Sequence, residues 1–300
     1  MATKASRRLL SVCIVNWNTR DLLRACLLSL RKHPPSSRLM EIIMVDNASR
    51  DGSAEMVVAE FPGVRLVRNP RNLNYARGSN QAIALASGDL IMLLNPDTEV
   101  FDGTLDRLCR FVDEHPEAGA AGCLLVSPDG SVQSSCRSLP TPPVLLFEML
   151  RLAGLPFRPP QDWRYYVDLP QSGYREVDQP MASALCLRRR ALDQVGVFDE
   201  RFPLFWNDVD LCYLLKRAGW SIYAVCDCRV LHHLGASTRQ AAARAVVDSH
   251  RGLIRFYLKH YVSRYGWLLA GLCIAAIWLA GWARLGMRLL LDPTLLWRAH

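Results

Sequence analysis

At 300 residues the chain is long enough for one sizeable α/β domain with an appendage, or for two small domains. Half of the residues are apolar and 21% are charged, with no low-complexity tract and no repeat at solenoid periods, which excludes a disordered chain and a repeat array. The formal net charge of +8 suits nucleotides, phosphorylated lipids or an anionic membrane, and no basic–aromatic module accompanies it, so nucleic acid is not an expected partner.

Ten cysteines are present without a CxxC pair, and Cys13, Cys123, Cys186 and Cys273 lie inside apolar runs. Buried reduced thiols, and so a reducing compartment, are the expectation. Cys226 and Cys228 form a CxC with no second pair to make a zinc site. The N-terminus does not read as a signal peptide, because Asn16 and Asn18 interrupt the apolar run Leu9–Val15.

In chain order, Leu10–Val15 predicts a buried strand and Arg20–Lys32 a helix, with Leu22, Leu23, Cys26, Leu27 and Leu30 at helical spacing. Glu41–Val45 predicts a strand ending at Asp46, Ser53–Phe61 a helix and Val64–Val67 a strand. Asn80–Ser87 predicts a helix stopped by Gly88, and Leu90–Leu94 a strand ending at Asn95-Pro96-Asp97. A helix over Leu105–Glu114 and a strand over Ala118–Val126 follow. Ser127-Pro128-Asp129-Gly130 then signals a hairpin turn. Proline-rich Arg137–Asp178 reads as a long loop region with a short helix near Leu145–Leu152. Beyond it come a strand over Pro180–Leu187, a helix over Arg189–Val195, a helix over Asp208–Ala218 stopped by Gly219, and a strand over Ile222–Val225. This alternation predicts a doubly wound α/β sheet with parallel strands, in which ligands bind beyond the carboxyl ends of strands. Asp46 and Asp97 stand at two such ends.

Arg251–Arg264 reads as a basic amphipathic helix, and Tyr265–Ala283 carries no charge. That length is near the lower end of what spans a bilayer, and Trp267, Trp278 and Trp282 lie near its ends as interfacial tryptophans do. The expected division is therefore 1–245 for the α/β domain and 246–300 for a helical segment, either spanning a membrane or lying on its surface.

Several side chains in this frame can carry chemistry. Asp46 can accept from the base or ribose of a nucleotide, whereas Asp51 reads as a helix cap. Asp97 is either a turn carboxylate or a ligand to a hard divalent ion, whose remaining positions phosphate oxygens and water would fill. Asp208 and Asp210 suit the first turn of a helix. Asp208 can alternatively project into the crevice as a general base. His232 or His233 is either a packed or surface residue, the commoner case for a lone histidine, or one that completes a metal shell.

The ordered runs Val12–Asn18, Val45–Ser53, Asn72–Asn80 and Leu93–Thr98, followed by Val195–Glu200, Phe205–Leu211 and His232–Ser237, resemble glycosyltransferase family 2, and most closely its bacterial rhamnosyltransferase-like branch. The resemblance covers roughly residues 10–240. It implies a GT-A fold, a Rossmann-like mixed sheet flanked by helices, here with C-terminal membrane-associated helices. It further implies an inverting transfer of sugar from a nucleotide-diphosphate donor to a glycan or lipid-linked acceptor, in cell-envelope polysaccharide synthesis at the cytoplasmic face of the inner membrane. On this resemblance Asn16, Asn18, Asp46, Asn80 and Asn95 line the nucleotide-sugar site. Asp97 and His232 hold Mg²⁺ or Mn²⁺, and Asp208 is the catalytic base. The chain departs from the family pattern at Asn95, where a full DxD motif has an acid although asparagine is common in this branch, at Asn207, where the branch usually has an acid, and at Asn74, where glycine is usual. The competing expectations are a catalytically silent nucleotide-sugar binder of the same fold and a membrane assembly protein.

Overall fold

The computed structural model describes residues 8–146, 165–233 and 242–291. Eleven strands and eight helices are named over these residues. They run β1 (Leu9–Asn16), α1 (Arg20–Lys32), β2 (Leu39–Asp46), α2 (Ser53–Glu60), β3 (Arg65–Arg68), α3 (Asn74–Leu85), β4 (Leu90–Leu94), β5 (Thr98–Val100), α4 (Thr104–Glu114) and β6 (Ala118–Val126). Then follow β7 (Cys136–Arg137), β8 (Tyr174–Glu176), β9 (Gln179–Pro180), β10 (Ala184–Arg188), α5 (Arg189–Val195), α6 (Asn207–Arg217), β11 (Ser221–His232), α7 (Ala242–His260) and α8 (Val262–Leu291).

The chain forms two compact units. The first holds residues up to Leu139, Tyr166–Pro203 and the stretch from Asn207 through β11. Its main sheet has the order β3-β2-β1-β4-β10-β6-β11-β5, with β8 added on β11, and β7 pairs with β9 in a separate ribbon. Strands β3, β2, β1 and β4 are parallel, as are β6 and β11. The mixed sheet that the family resemblance implies is present, beyond the parallel pattern that strand–helix alternation alone suggests: β10 runs antiparallel to both β4 and β6, and β5 and β8 run antiparallel to β11. The result is a mixed sheet of GT-A type.

Burial on both faces explains why the central strands read as unbroken apolar runs. All nine residues of β6 and all five of β4 are buried. Period-two alternation divides β1 between two cores. Leu10, Val12 and Ile14 join Leu23, Leu27 and Leu30 of α1 on one face of the sheet, whereas Cys13 and Val15 join Ala82 and Ile83 of α3 on the other. Each fully buried leucine contributes roughly 1.5–3 kcal/mol by leaving water, so the amphipathic face of α1 is a principal source of its stability.

The amino-terminal end of the sheet is closed by charge pairing. Arg38, whose side chain is 1% exposed, bonds Asp89 at 2.8 Å and Asp113 at 2.5 Å, and Arg8 reaches Asp113 at 2.8 Å. Asp89 also accepts the Leu9 N–H at 2.9 Å, tying the start of β1 to the residue before β4.

The expected basic helix Arg251–Arg264 is instead Ala242–His260, with a further helix from Val262, and α3 differs from expectation at both ends. Helix α3 begins at Asn74 rather than Asn80, and Asn74 adopts φ 67, a left-handed conformation that asparagine tolerates. Gly78 lies in the interior of α3, where its low helix propensity hides the start. A Cβ there would stand 2.9 Å from a Val15 methyl, so the glycine permits close helix–sheet approach. Gly88 is not a left-handed helix stop. It passes so close to β1 that a Cβ would lie 2.5 Å from the Leu9 carbonyl. Gly219, with φ 88, does end α6. The 127–130 turn forms as expected, with the Gly130 N–H on the Ser127 carbonyl at 2.8 Å and Val126 bridging Val132.

Strand β11 runs on to His232 instead of stopping near Val225. Asp227 and Arg229 point outward while Cys226, Cys228 and Val230 are buried, so the charges occupy the solvent side of an alternating strand. Of the expected helix near Leu145–Leu152, a helical turn over 142–146 is present, and the rest lies outside the described residues.

In the second unit, α7 and α8 bury Phe256, Tyr257, Tyr261, Ala270 and Ile277. Tyr261 stacks edge-on against Tyr257 and Tyr265 at 5.0 and 5.5 Å. Gly266, with φ 79 and ψ 162, kinks α8. The segment Val262–Leu279 is long and apolar enough to cross a membrane by length and composition. Trp267, Leu268, Leu272 and Leu279 are exposed on it.

Candidate active site

The carboxyl ends of β1, β2 and β4 carry the polar residues that the sequence singles out. Parallel pairing sets Asn16 beside Asp46. Both are buried, and the Asn16 amide donates to Asp46 Oδ1 at 3.2 Å and to Ser49 Oγ at 3.1 Å. Asp46 Oδ2 accepts the Ser49 N–H at 2.9 Å, and the Thr19 hydroxyl donates to Asn16 Oδ1 at 2.6 Å. Asn18, at φ 52, accepts the Arg50 N–H at 2.8 Å and gives its own N–H to Ser49 Oγ at 3.0 Å. Asn16, Asn18 and Asp46 therefore form one cluster that fixes the loop after β2. Asp51 stands outside it as a cap, accepting the N–H of Arg20 at 2.8 Å and of Ser53 at 3.0 Å, the first residues of α1 and α2.

A second amide cluster extends the first. Asn69 donates to Asn47 Oδ1 and to Gln81 Oε1, both at 2.8 Å, and Asn47 donates to the Asn74 carbonyl at 3.1 Å. The loops after β2 and β3 are thereby locked to α3.

Asp97 and His232 meet across the β5–β11 pairing. Thr98 stands opposite His232, and the His233 N–H bonds the Asp97 carbonyl at 2.9 Å. Asp97 Oδ1 lies 3.4 Å from His232 Nε2, with both residues buried. His233 turns instead to Glu99, 2.9 Å away and nearer solvent. Among the described residues, no third histidine, cysteine, aspartate or glutamate completes a metal cluster. A carboxylate oxygen and an imidazole nitrogen at this spacing fit two neighbouring positions on one divalent ion, since ligands about 2.1 Å from an ion stand about 3.0–3.4 Å apart at ordinary angles.

Asp208 occupies the first turn of α6, partly shielded from solvent. Its Oδ2 accepts from Gln179 Nε2 at 2.8 Å and from the Ala182 N–H at 3.4 Å, and its Oδ1 accepts the Val209 N–H at 2.9 Å. Burial pushes its carboxyl above the ordinary aspartate range, and the nearby Arg137 charge and these N–H bonds offset the rise only in part. Adjacent residues connect Asp208 to the Asn95-Pro96-Asp97 turn. Asn95 gives its N–H to the Ser183 carbonyl at 2.9 Å and its amide to Ser183 Oγ at 3.1 Å. The Tyr75 hydroxyl bonds the Ala182 carbonyl at 3.4 Å. Burial raises the Tyr75 phenol, and the charges of both Asp208 and Asp97 raise it further.

Asn80 stands apart from these clusters. Its amide donates to the Phe198 carbonyl at 2.9 Å and accepts the Phe198 N–H at 3.0 Å, clasping α3 to the 198–200 segment. Asn207 is buried and donates to the Phe202 carbonyl at 3.3 Å. Gln179, Asn69 and Gln81 join the site from outside the runs singled out in the sequence, whereas Asn47, Ser49 and Tyr75 lie inside those runs without a role assigned to them.

A sequence profile described as "Glycosyl transferase family 2" matches residues 11–169, more than half of the chain. The chain belongs to glycosyl transferase family 2. This family 2 glycosyltransferase is 31% identical over 278 residues to the N-acetylglucosaminyl-diphospho-decaprenol L-rhamnosyltransferase of Mycobacterium tuberculosis, covering 88% of this chain and 84% of that protein. It is 32% identical over 238 residues to the O-antigen biosynthesis protein RfbC of Myxococcus xanthus, covering 74% of this chain but only 17% of that protein. Among solved structures, the glycosyltransferase shares its fold with GalNAc-T7 bound to UDP, GalNAc and Mn²⁺, at a TM-score of 0.59 and 14% identity, covering 84% of this chain and 48% of the other. It also matches the mannosyltransferase PcManGT of Pyrobaculum calidifontis with GDP-Man and Mn²⁺, at a TM-score of 0.57 and 16% identity, covering 98% and 84%.

Proposed function

We propose that this glycosyltransferase transfers L-rhamnose, with inversion, from a nucleotide-diphosphate sugar to a hydroxyl of a lipid-linked glycan, with a divalent ion bound at Asp97 and His232. The observation that supports the reading is the linkage of Asp208 to the Asn95-Pro96-Asp97 turn through the adjacent residues Ala182 and Ser183, which connects the candidate base to the turn carrying a candidate metal ligand. The rhamnose assignment rests on the similarity to the mycobacterial rhamnosyltransferase, whose name also gives a lipid-diphosphate-linked acceptor. Deoxythymidine-diphosphate rhamnose is the first donor to test.

In this reading the cluster of Asn16, Asn18 and Asp46 receives the nucleoside, with Asp46 as an acceptor for base or ribose donors. Asp97 and His232 would hold Mg²⁺ or Mn²⁺, which when bound neutralises charge on the leaving diphosphate. Asp208 accepts the proton of the acceptor hydroxyl. Its partial burial makes it a stronger base than a solvated aspartate. The acceptor oxygen then attacks the anomeric carbon from the face opposite the diphosphate, the C–O bond to the diphosphate breaks, and one displacement inverts the configuration. Gln179 and the Ala182 N–H hold the carboxylate in place for that proton transfer.

Support for a membrane acceptor comes from α8, whose exposed Trp267, Leu268 and Leu272 suit lipid contact. On this reading the enzyme works at the cytoplasmic face of the inner membrane, with residues 246–300 as the attachment segment.

Asp208→Asn tests the reading directly. Transfer should fall by at least about 10³-fold while binding of the nucleotide sugar persists. Near-normal turnover in that variant would sink the assignment.

A further inference from the structure

Gln133 lies just past the 127–130 turn, half-buried, and its side chain touches His232 twice. Gln133 Nε2 donates to the His232 carbonyl at 2.8 Å and to Ser127 Oγ at 3.1 Å. A backbone carbonyl can only accept, so this contact fixes which end of the amide carries nitrogen. The other end, Gln133 Oε1, stands 2.8 Å from His232 Nδ1. An amide oxygen can only accept, so Nδ1 must be the protonated nitrogen of the ring. A neutral imidazole has one N–H, which leaves Nε2 with a bare lone pair. That lone pair faces Asp97 Oδ1 at 3.4 Å, longer than an ordinary N–H···O bond. With the ring neutral, two electron pairs turned toward each other in a buried setting repel until a proton or a metal ion lies between them.

We propose that Gln133 is a positioning residue that holds His232 in the Nδ1–H tautomer and so turns the Nε2 lone pair toward the cation shared with Asp97. The inference rests on the reading of Asp97 and His232 as metal ligands, and it adds the residue that makes one of them competent. Outer partners of this kind orient the ring and raise its basicity as a ligand, and their loss costs metal affinity roughly 10–100-fold. Gln133 is 99 positions from His232 in the chain, so no local motif announces it.

Two measurements on the full-length protein test it. In ¹⁵N-histidine-labelled protein at about pH 9, above the ordinary histidine range, the ring nitrogens of His232 are identified by the signal lost in His232→Asn. The wild type should show a protonated Nδ1 and an unprotonated Nε2. Gln133→Leu should populate the opposite tautomer, and Gln133→Glu, which keeps an acceptor at Nδ1, should not. Mn²⁺ binding in the presence of deoxythymidine diphosphate, followed by electron paramagnetic resonance, should weaken roughly 10–100-fold in Gln133→Leu and stay within a few-fold of wild type in Gln133→Glu. An unprotonated Nδ1 on wild-type His232 overturns the role of Gln133 whatever the metal does, and that reading needs no variant to fold. A folded Gln133→Leu with unchanged tautomer and Mn²⁺ affinity overturns it as well. Mn²⁺ binding that is absent from wild type, or unchanged in Asp97→Ala, instead overturns the metal reading beneath it.

Discussion

Asp97 and His232 meet because the three-residue strand β5 pairs antiparallel with the far end of the twelve-residue strand β11, placing Thr98 opposite His232. The contact is thus a property of strand register, and each partner is presented by backbone that the other partner's strand holds.

Removing either side chain should therefore be separable from unfolding. Asp97→Ala and His232→Ala are expected to lower transfer by on the order of 10²-fold or more, the effect of losing several kcal/mol of charge stabilisation. Mn²⁺ binding should weaken in both variants while the thermal transition moves little. Mn²⁺-stimulated transfer at wild-type rate in Asp97→Ala would refute the ligand assignment.

The pH profile should report the environment of Asp208. Its carboxyl lies above the ordinary aspartate range through burial, so the acid limb of kcat should fall at a pH above that range. The Arg137 charge favours the ionised form, so Arg137→Met should move the limb to still higher pH and leave the plateau near wild type. The sign also bears on stability. A carboxyl with a raised folded pKa stabilises the fold most below its unfolded pKa and progressively less as pH rises. Asp208→Asn should accordingly raise the melting temperature at neutral pH while abolishing transfer. A melting temperature lowered by that change would count against the environment described for Asp208.

At the other end of the sheet, Arg38 should dominate acid stability. Partial burial pushes the Asp89 carboxyl up, but the Arg38 guanidinium and the Leu9 N–H outweigh it and hold the carboxyl below its ordinary value. That contribution is complete above the unfolded aspartate pKa and is lost as pH falls through the depressed folded value. The double change Asp89→Asn with Asp113→Asn strands a buried guanidinium and should cost about 3–5 kcal/mol in urea denaturation at neutral pH. Arg38→Met should cost less, because both carboxylates reach solvent more readily than the guanidinium does. The reverse ranking would refute this account.

Vesicle flotation tests the attachment segment. The full chain should float with anionic vesicles. Leu268→Glu with Leu272→Glu should weaken that binding by on the order of 10²-fold, since each leucine withdrawn from lipid forfeits roughly 1.5–3 kcal/mol. Equal flotation of the double variant would remove α8 from the membrane interface.

Much of the sheet was legible because its strands are buried on both faces. Leu90–Leu94 and Ala118–Val126 were bounded correctly from unbroken apolar runs, and Arg20–Lys32 from its 3.6-residue period. What escaped was set by partners distant in the chain. Strand β5 has three residues and no periodicity to detect, and the antiparallel direction of β10 follows from its neighbours rather than from its own residues. The same holds for the site. Asp46, Asp97 and Asp208 could be marked because acids at strand ends and helix starts have a short menu of roles. Gln179, Asn69 and Gln133 could not, because an amide side chain shows its purpose only through the atoms that face it. Asn80, inside a family motif, bonds the Phe198 backbone with both ends of its amide, a pairing set by a segment more than a hundred positions away.

The ten thiols carry a practical corollary. Nine are buried, and burial pushes those of Cys13, Cys26, Cys109, Cys136 and Cys228 up to about 12. The thiolate is the reactive form, so an alkylating reagent at neutral pH meets almost no competent sulfur in the closed protein. Cys13, Cys123 and Cys186 lie on β1, β6 and β10, and Cys26 and Cys109 on α1 and α4. Each modified sulfur therefore records the opening of a particular layer, and the order in which they react would chart how the molecule comes apart without any label having been introduced.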